Sequence, residues 1–169
     1  VITPRLIKDV ISRSKAKGIP VSADPKLKNF NAYTGITLFK PNFKELKDGI
    51  NANLSIENQE GIFKAVRLLR ERLQARFVLT TLSEHGILIS TDGKDDQKNI
   101  FIPAHVRSVA DVSGAGDTVI SVASLCLALK RSPYEIAFIS NLAGGLVCEE
   151  VGVVPVNKDK LLREVISLL

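Results

Sequence analysis

Short apolar segments, each stopped by a polar residue, alternate along this chain with stretches of helical periodicity. Ile19–Ala23 stops at Asp24-Pro25, Ile36–Phe39 stops at Lys40-Pro41, and Phe77–Leu82 stops at Ser83. Such runs are too short for buried helices and carry the β-branched and aromatic residues of strands. Between them lie Pro4–Gly18, a helix starting after Asn42, and a longer one from Ser55 to about Gln74. In the last, Ile62, Val66, Leu69 and Leu73 share one face. Strands alternating with helices predict an α/β fold whose sheet is largely parallel. In such sheets ligands bind at the carboxyl ends of the strands. The chemistry-bearing residues fall there: Asp24, Asn42, Ser83 and the loop from Asp111.

Local signals set the helix ends. Thr3-Pro4 is a cap followed by proline at the first helical position, and Gly18 closes that helix. Asn42 with Glu45 has the spacing of a capping box. Gly86–Ser90 and Asn99–Phe101 flank a polar turn at 91–96 and read as a hairpin. Thr118–Leu129 is apolar on every side and reads as a buried helix. Ser132-Pro133 starts another helix to about Cys148, and Asn157 caps a final amphipathic one.

The 169 residues suit one domain with a real core, and 45% hydrophobic with 24% charged content is ordinary for a globular protein. No apolar run reaches the length of a membrane span. Cys126 and Cys148 lie in apolar or small-residue surroundings and read as reduced thiols, which places the chain in the cytoplasm. The net charge of +5 sits unevenly, with 15 Lys+Arg against 7 Asp+Glu in residues 1–76. Those cations recur at helix spacing with no aromatic platform interleaved. They read as solvated helix faces, so no nucleic-acid partner is expected.

The segment with the most chemistry is Asp111-Val112-Ser113-Gly114-Ala115-Gly116-Asp117-Thr118. Two glycines around an alanine leave the N–H groups of Gly114, Ala115 and Gly116 unobstructed at a helix start. That is an anion hole suited to phosphate. Asp117 stands in the first turn of the same helix. A first-turn Asp is favourable there in any case, by up to about 1 kcal/mol. Beside a phosphate site it is also a candidate general base. The loop is neither a Walker A motif nor a dinucleotide fingerprint.

These residues closely resemble the C-terminal signature of the ribokinase-like (PfkB) sugar kinases. Lys40-Pro41-Asn42-Phe43-Lys44-Glu45 resembles that family's Asn-x-x-Glu motif. Thr80-Thr81-Leu82-Ser83-Glu84-His85-Gly86 resembles its Thr-Leu-Gly-x-x-Gly segment, with Ser83 in the glycine place. Order and spacing agree across the whole chain. Within the family, Asp24-Pro25-Lys26, Phe30, Tyr33, Gly35 and Ser83-Glu84-His85-Gly86 resemble the kinases of D-glycero-β-D-manno-heptose 7-phosphate in ADP-heptose synthesis.

The resemblance implies a three-layer α/β/α fold with a mostly parallel sheet, truncated at the N-terminus. Residues 1–169 would form the C-terminal, ATP-binding and catalytic portion. It implies transfer of a phosphoryl group from ATP to a sugar hydroxyl, with the heptose 7-phosphate giving the 1,7-bisphosphate for lipopolysaccharide core synthesis. Another ribokinase-like sugar or nucleoside kinase, or a non-catalytic nucleotide-binding fragment, is the alternative. Asp117 would be the catalytic base and Gly114, Ala115 and Gly116 the anion hole. Asn42, Glu45, Thr81, Ser83, Gly86 and Asn141 would serve the nucleotide, with Glu45 organising Mg²⁺ through water. Asp111 and Ser113 fall where relatives hold a monovalent cation, K⁺, and Val147 and Gly152 on the other half of that site. The family's sugar-binding segments lie upstream of the matched motifs. The expected partners are a small sugar phosphate and a second copy of the chain, since a truncated sheet exposes an apolar edge.

Overall fold

The computed structural model describes residues 1–92, 99–105 and 107–168. Among the described residues, helices and strands follow in the order α1 (Pro4–Ala16), β1 (Ser22–Ala23), β2 (Leu38–Phe39), α2 (Phe43–Ile50), α3 (Gln59–Leu73), β3 (Phe77–Thr81), β4 (Ile87–Thr91), β5 (Asn99–Ile102), α4 (Ala115–Ala128), α5 (Pro133–Val147) and α6 (Lys158–Leu168). Short 3₁₀ segments lie at Leu27–Ala32 and Ser83–His85.

The strands form one sheet in the order β1-β2-β3-β4-β5. The β1–β2 and β2–β3 pairings are parallel. The β3–β4 and β4–β5 pairings are antiparallel. The parallel arrangement therefore covers the first three strands only. After β3 the chain turns back at once through Ser83–Gly86, too short a link for a parallel crossover. Of the expected 91–96 turn, Thr91 ends β4, and residues 93–96 lie outside the described residues.

Side chains alternate across the sheet and build a core on each face. Leu38, Phe77, Leu79, Ile87 and Ile89 pack against α4 and α5 through Val122, Ala123, Ile136 and Leu142. Phe39, Val78 and Leu88 pack on the other face against Ile7 and Ile11 of α1, Leu46 of α2 and Val66 and Leu69 of α3. The result is the three-layer α/β/α arrangement.

Most caps form as their residues dictate. Thr3 accepts from the Leu6 N–H, and Ser132 and Glu135 complete a capping box on α5. Asn157 Oδ1 accepts from the Lys160 N–H at 2.9 Å. Two expectations need correction. The long helix opens at Asn58, whose Oδ1 accepts from the Gly61 N–H at 2.9 Å, and not at Ser55. Ser55 reaches only the Glu57 N–H at 3.4 Å, in a turn that lets Ile56 pack on the second core. The apolar α4 is also not buried all round: Leu125 and Leu129 are 65% and 67% exposed. α4 lies over β1, the sheet's edge strand, and its Ser124 hydroxyl shares a hydrogen bond with that of Ser22 at 2.6 Å. No described element covers its far side.

The turn from β3 to β4 requires glycine at one position. Gly86 has φ +104° and ψ −138°, and a Cβ there would lie 2.1 Å from the Ile102 carbonyl oxygen. Gly86→Ala is expected to destabilise the chain by at least about 2 kcal/mol, combining backbone strain with a clash that moves β5. Urea unfolding of the two proteins measures it.

Candidate active site

Asp24 follows β1, Lys40 and Asn42 follow β2, and Ser83 follows β3, so the parallel strands deliver all four to one end of the sheet. There they line a cavity of about 820 Å³ with Glu45, Thr81, Gly86, Asn141 and the loop Gly114–Asp117. Asn42, Glu45, Thr81, Ser83, Gly86, Asn141 and Gly114–Asp117, singled out in the sequence, thus line one cavity. Asp111 and Ser113 stand behind the loop.

The glycine loop is held from below. Asp111 Oδ1 accepts from the Ser113 N–H at 2.9 Å and from its hydroxyl at 2.8 Å, and Oδ2 accepts from the Gly152 N–H at 3.0 Å. These donors, the Ser113 backbone first, hold the Asp111 carboxyl below its ordinary value. Two of these bonds close a local turn at Ser113, and the third ties the loop to the segment at Gly152.

Gly114 then takes φ +80° and starts α4, with the Thr118 N–H bonded to its carbonyl at 2.9 Å. The donor set differs by one residue from the sequence expectation. The Ala115 N–H donates to the Val112 carbonyl at 3.3 Å, closing a tight first turn. Among the described residues, the N–H groups of Gly114, Gly116 and Asp117 meet no protein acceptor. They are the orphan donors of a helix N-terminus, and they face the cavity with the positive end of the α4 dipole. Asp117 is exposed in the same turn.

A buried ion pair stands against this loop. Lys40 is only 2% exposed, and its Nζ lies 3.0 Å from Asp24 Oδ2. A Cβ built on Gly116 would lie 3.7 Å from Lys40 Nζ and 3.9 Å from Asp24 Oδ2. The missing side chain of Gly116 therefore keeps open the space between orphan N–H donors and a fixed ammonium. Sequence reading missed Lys40 as a site residue, because a lysine at a strand end ordinarily reads as solvated. The signal available was its place two residues before Asn42 and next to a proline that forbids it a helix.

Asn42 and Glu45 form the capping box on α2, with Asn42 Oδ1 accepting from the Glu45 N–H at 2.8 Å and Glu45 Oε2 accepting from the Asn42 N–H at 2.9 Å. Glu45 Oε1 remains toward the cavity, 3.8 Å from the exposed Lys26 ammonium. One Glu45 oxygen caps the helix and the other stays beside Lys26 at the cavity. Asp24 and Glu45 supply hard oxygen donors at the cavity edge, the chemistry that suits hydrated Mg²⁺ beside phosphates. Ser83 takes φ +52°, in the left-handed region that favours glycine. Asn141 Nδ2 donates to the Pro103 carbonyl at 2.9 Å, fixing the far wall. His85 is half-exposed beside Glu84, as a surface turn residue. His105 packs edge-on against Phe138.

The comparisons with known proteins bear on this geometry. The pfkB family carbohydrate kinase pattern matches residues 2–160. The chain belongs to the pfkB family of carbohydrate kinases. Among curated relatives, a bifunctional protein HldE of Granulibacter bethesdensis is 36% identical over 97% of this chain, and that of Campylobacter jejuni is 38% identical over 95%. The chain spans about a third of the length of either (34% and 33%). Among solved structures, phosphofructokinase-2 from Escherichia coli in complex with potassium superposes with a TM-score of 0.85 over 99% of this chain and 53% of its own length, at 23% identity. Arabidopsis thaliana ribokinase complexed with ribose and ATP gives 0.78 over 96% and 52%, at 22% identity. These likenesses establish the ribokinase-like fold of this pfkB-family chain.

The ion pair makes a prediction about stability. Removing Asp24 leaves an unpaired ammonium in the interior, whereas removing both charge and desolvation demand at Lys40 does not. Asp24→Asn is expected to cost about 3 kcal/mol, and Lys40→Met distinctly less. Chemical unfolding measures both, and the reverse order would contradict this view of the pair.

Proposed function

We propose that this cavity binds the triphosphate of ATP and that Asp117 deprotonates a sugar hydroxyl attacking the γ-phosphorus. The observation that carries it is the open space at Gly116, bounded by orphan N–H donors, the Lys40 ammonium and the Asp117 carboxylate. Phosphoryl transfer asks a protein mainly for positioning and charge stabilisation, plus a group to take one proton. The Gly114, Gly116 and Asp117 N–H groups would receive anionic phosphate oxygens, with Lys40 adding a fixed positive charge. Asp24 holds that ammonium in place. The hydroxyl oxygen bonds to phosphorus, the bond to the ADP oxygen breaks, and the hydroxyl proton passes to Asp117.

Asn42 and Glu45 would organise Mg²⁺ through water, and the ion would supply neutralisation of phosphate charge. Ala104, Gly86 and Asn141 would receive the nucleoside end. Asp111 and Ser113 would brace the loop.

The relatives favour one substrate class. Identity to the HldE proteins is well above that to phosphofructokinase-2 or ribokinase, which favours a heptose phosphate of ADP-heptose synthesis, D-glycero-β-D-manno-heptose 7-phosphate phosphorylated at O1. Another sugar of the family is the second reading, supported by the likeness in fold to kinases of fructose 6-phosphate and ribose. The chain spans about a third of those relatives, and residues 1–169 would supply the nucleotide-side machinery of a cytoplasmic kinase. Alone it is expected to bind ATP weakly and to turn sugar over little. The exposed Leu125 and Leu129 beside the open β1 edge favour association with further protein, a second copy included.

The test pairs two variants. Asp117→Asn is expected to keep ATP binding and to lower heptose 7-phosphate phosphorylation by at least about 10²-fold in a kinase carrying these residues. Gly116→Val is expected to abolish ATP binding by filling the phosphate space. Full activity in Asp117→Asn, or unchanged ATP affinity in Gly116→Val, would overturn the assignment.

A further inference from the structure

Between β5 and the glycine loop, Ala104, His105, Arg107 and Val109 line one wall of the cavity; of this stretch, residues 103–105 and 107–110 are described. None of the described residues among them is in a helix or strand. The wall is tied to α5 at its ends. Pro103 accepts from Asn141, and the Cys148 carbonyl accepts from the Ala110 N–H at 2.8 Å and the Asp111 N–H at 3.2 Å. Between these ties, among the described residues, His105 packs edge-on against Phe138 and Arg107 reaches carboxylate partners.

The Arg107 side chain is 10% exposed and crosses α5 at Gly145, where a Cβ would lie 2.7 Å from Nε. Its Nη1 donates to Glu149 Oε1 at 2.7 Å and to Glu164 Oε1 at 3.1 Å, and Nη2 donates to Glu164 Oε2. Lys160 Nζ donates in turn to Glu149 Oε2. Two cations thus meet two carboxylates, which hold the guanidinium in place at the cavity wall. Glu164 and Lys160 belong to α6, a helix with no fully buried residue. The ion network is thus a main link between α6 and the cavity wall.

We infer that Arg107, clamped by Glu149 and Glu164, is a positioning residue that holds the 103–110 wall at the nucleoside end of the cavity and so sets nucleotide affinity. Its fork geometry suits this, since two carboxylates fix a planar guanidinium in orientation as well as place. The inference rests on the nucleotide reading proposed above. It predicts that loosening the clamp weakens binding of the nucleoside part and spares the phosphate site, which the glycine loop and Lys40 define.

The experiment titrates the whole chain, in Mg²⁺, with ATP and separately with inorganic triphosphate. Variants are Arg107→Met, Arg107→Lys and Glu164→Gln. The last is isosteric, lies on a surface helix, and serves if Arg107→Met fails to fold. Arg107→Met and Glu164→Gln are expected to raise the Kd for ATP about threefold to thirtyfold, the range of mutations acting through a coupled neighbour. The Kd for triphosphate should stay within twofold of wild type (roughly the scatter of such titrations), and Arg107→Lys should recover part of the ATP affinity. Unchanged ATP affinity in Glu164→Gln, or equal loss for ATP and triphosphate, would overturn the inference while leaving the phosphate site standing. A wild-type chain that binds neither ligand would overturn the nucleotide reading and this inference with it.

Discussion

The Lys40–Asp24 pair is the interaction on which the site depends. Burying an ammonium to 2% exposure demands a close counter-charge, and Asp24 supplies it from the neighbouring strand at 3.0 Å. The pair exists because β1 and β2 run parallel and end together, with Ala23 opposite Phe39. It fixes a positive charge where α4 begins. Gly116 lets the α4 backbone approach that charge without a side chain intervening. Sheet register, ion pair and glycine loop are thus one construction.

Around it the two halves of the molecule have different tasks. The α1–α3 side buries a continuous core and presents Asn42 and Glu45 on a well-capped helix. The α4–α5 side carries the loop and is itself braced by Asp111 and by the long wall over α5. The brace consists of side chains bonded to backbone N–H groups, so it holds a loop that no strand or helix stabilises. The same device recurs at Arg107, where ion pairs and not secondary structure hold a segment in place. Rigid elements deliver the parallel-strand residues, whereas clamps deliver the loop and the wall.

Much of this was legible in the sequence because it is local. Thr3, Asn42, Ser132 and Asn157 announce helix starts through bonds that span three residues, and all four caps form. The two glycines beside Asp117 likewise carry their meaning in consecutive residues. What stayed hidden depends on closure of the fold. Lys40 becomes a buried cation only when a second strand and a distant helix start enclose it. Arg107 finds partners 42 and 57 residues away, one just past the end of α5 and one on the amphipathic α6. The exposure of Leu125 and Leu129 follows from where the sheet ends, which no helical period encodes. The start of α3 was misplaced because Ser55 and Asn58 are both competent caps, and packing of Ile56 decides between them.

The central claim is that phosphate oxygens occupy the space between Gly116 and Lys40. A crystal structure of the chain with a non-hydrolysable ATP analogue and Mg²⁺ tests it most directly. The account predicts phosphate oxygens within hydrogen-bonding reach of the Gly116 N–H and of Lys40 Nζ, with the adenosine running toward the Asn141 side of the cavity. An analogue bound with its phosphates elsewhere, or with Lys40 still enclosed and the Gly116 N–H facing only solvent, would contradict it.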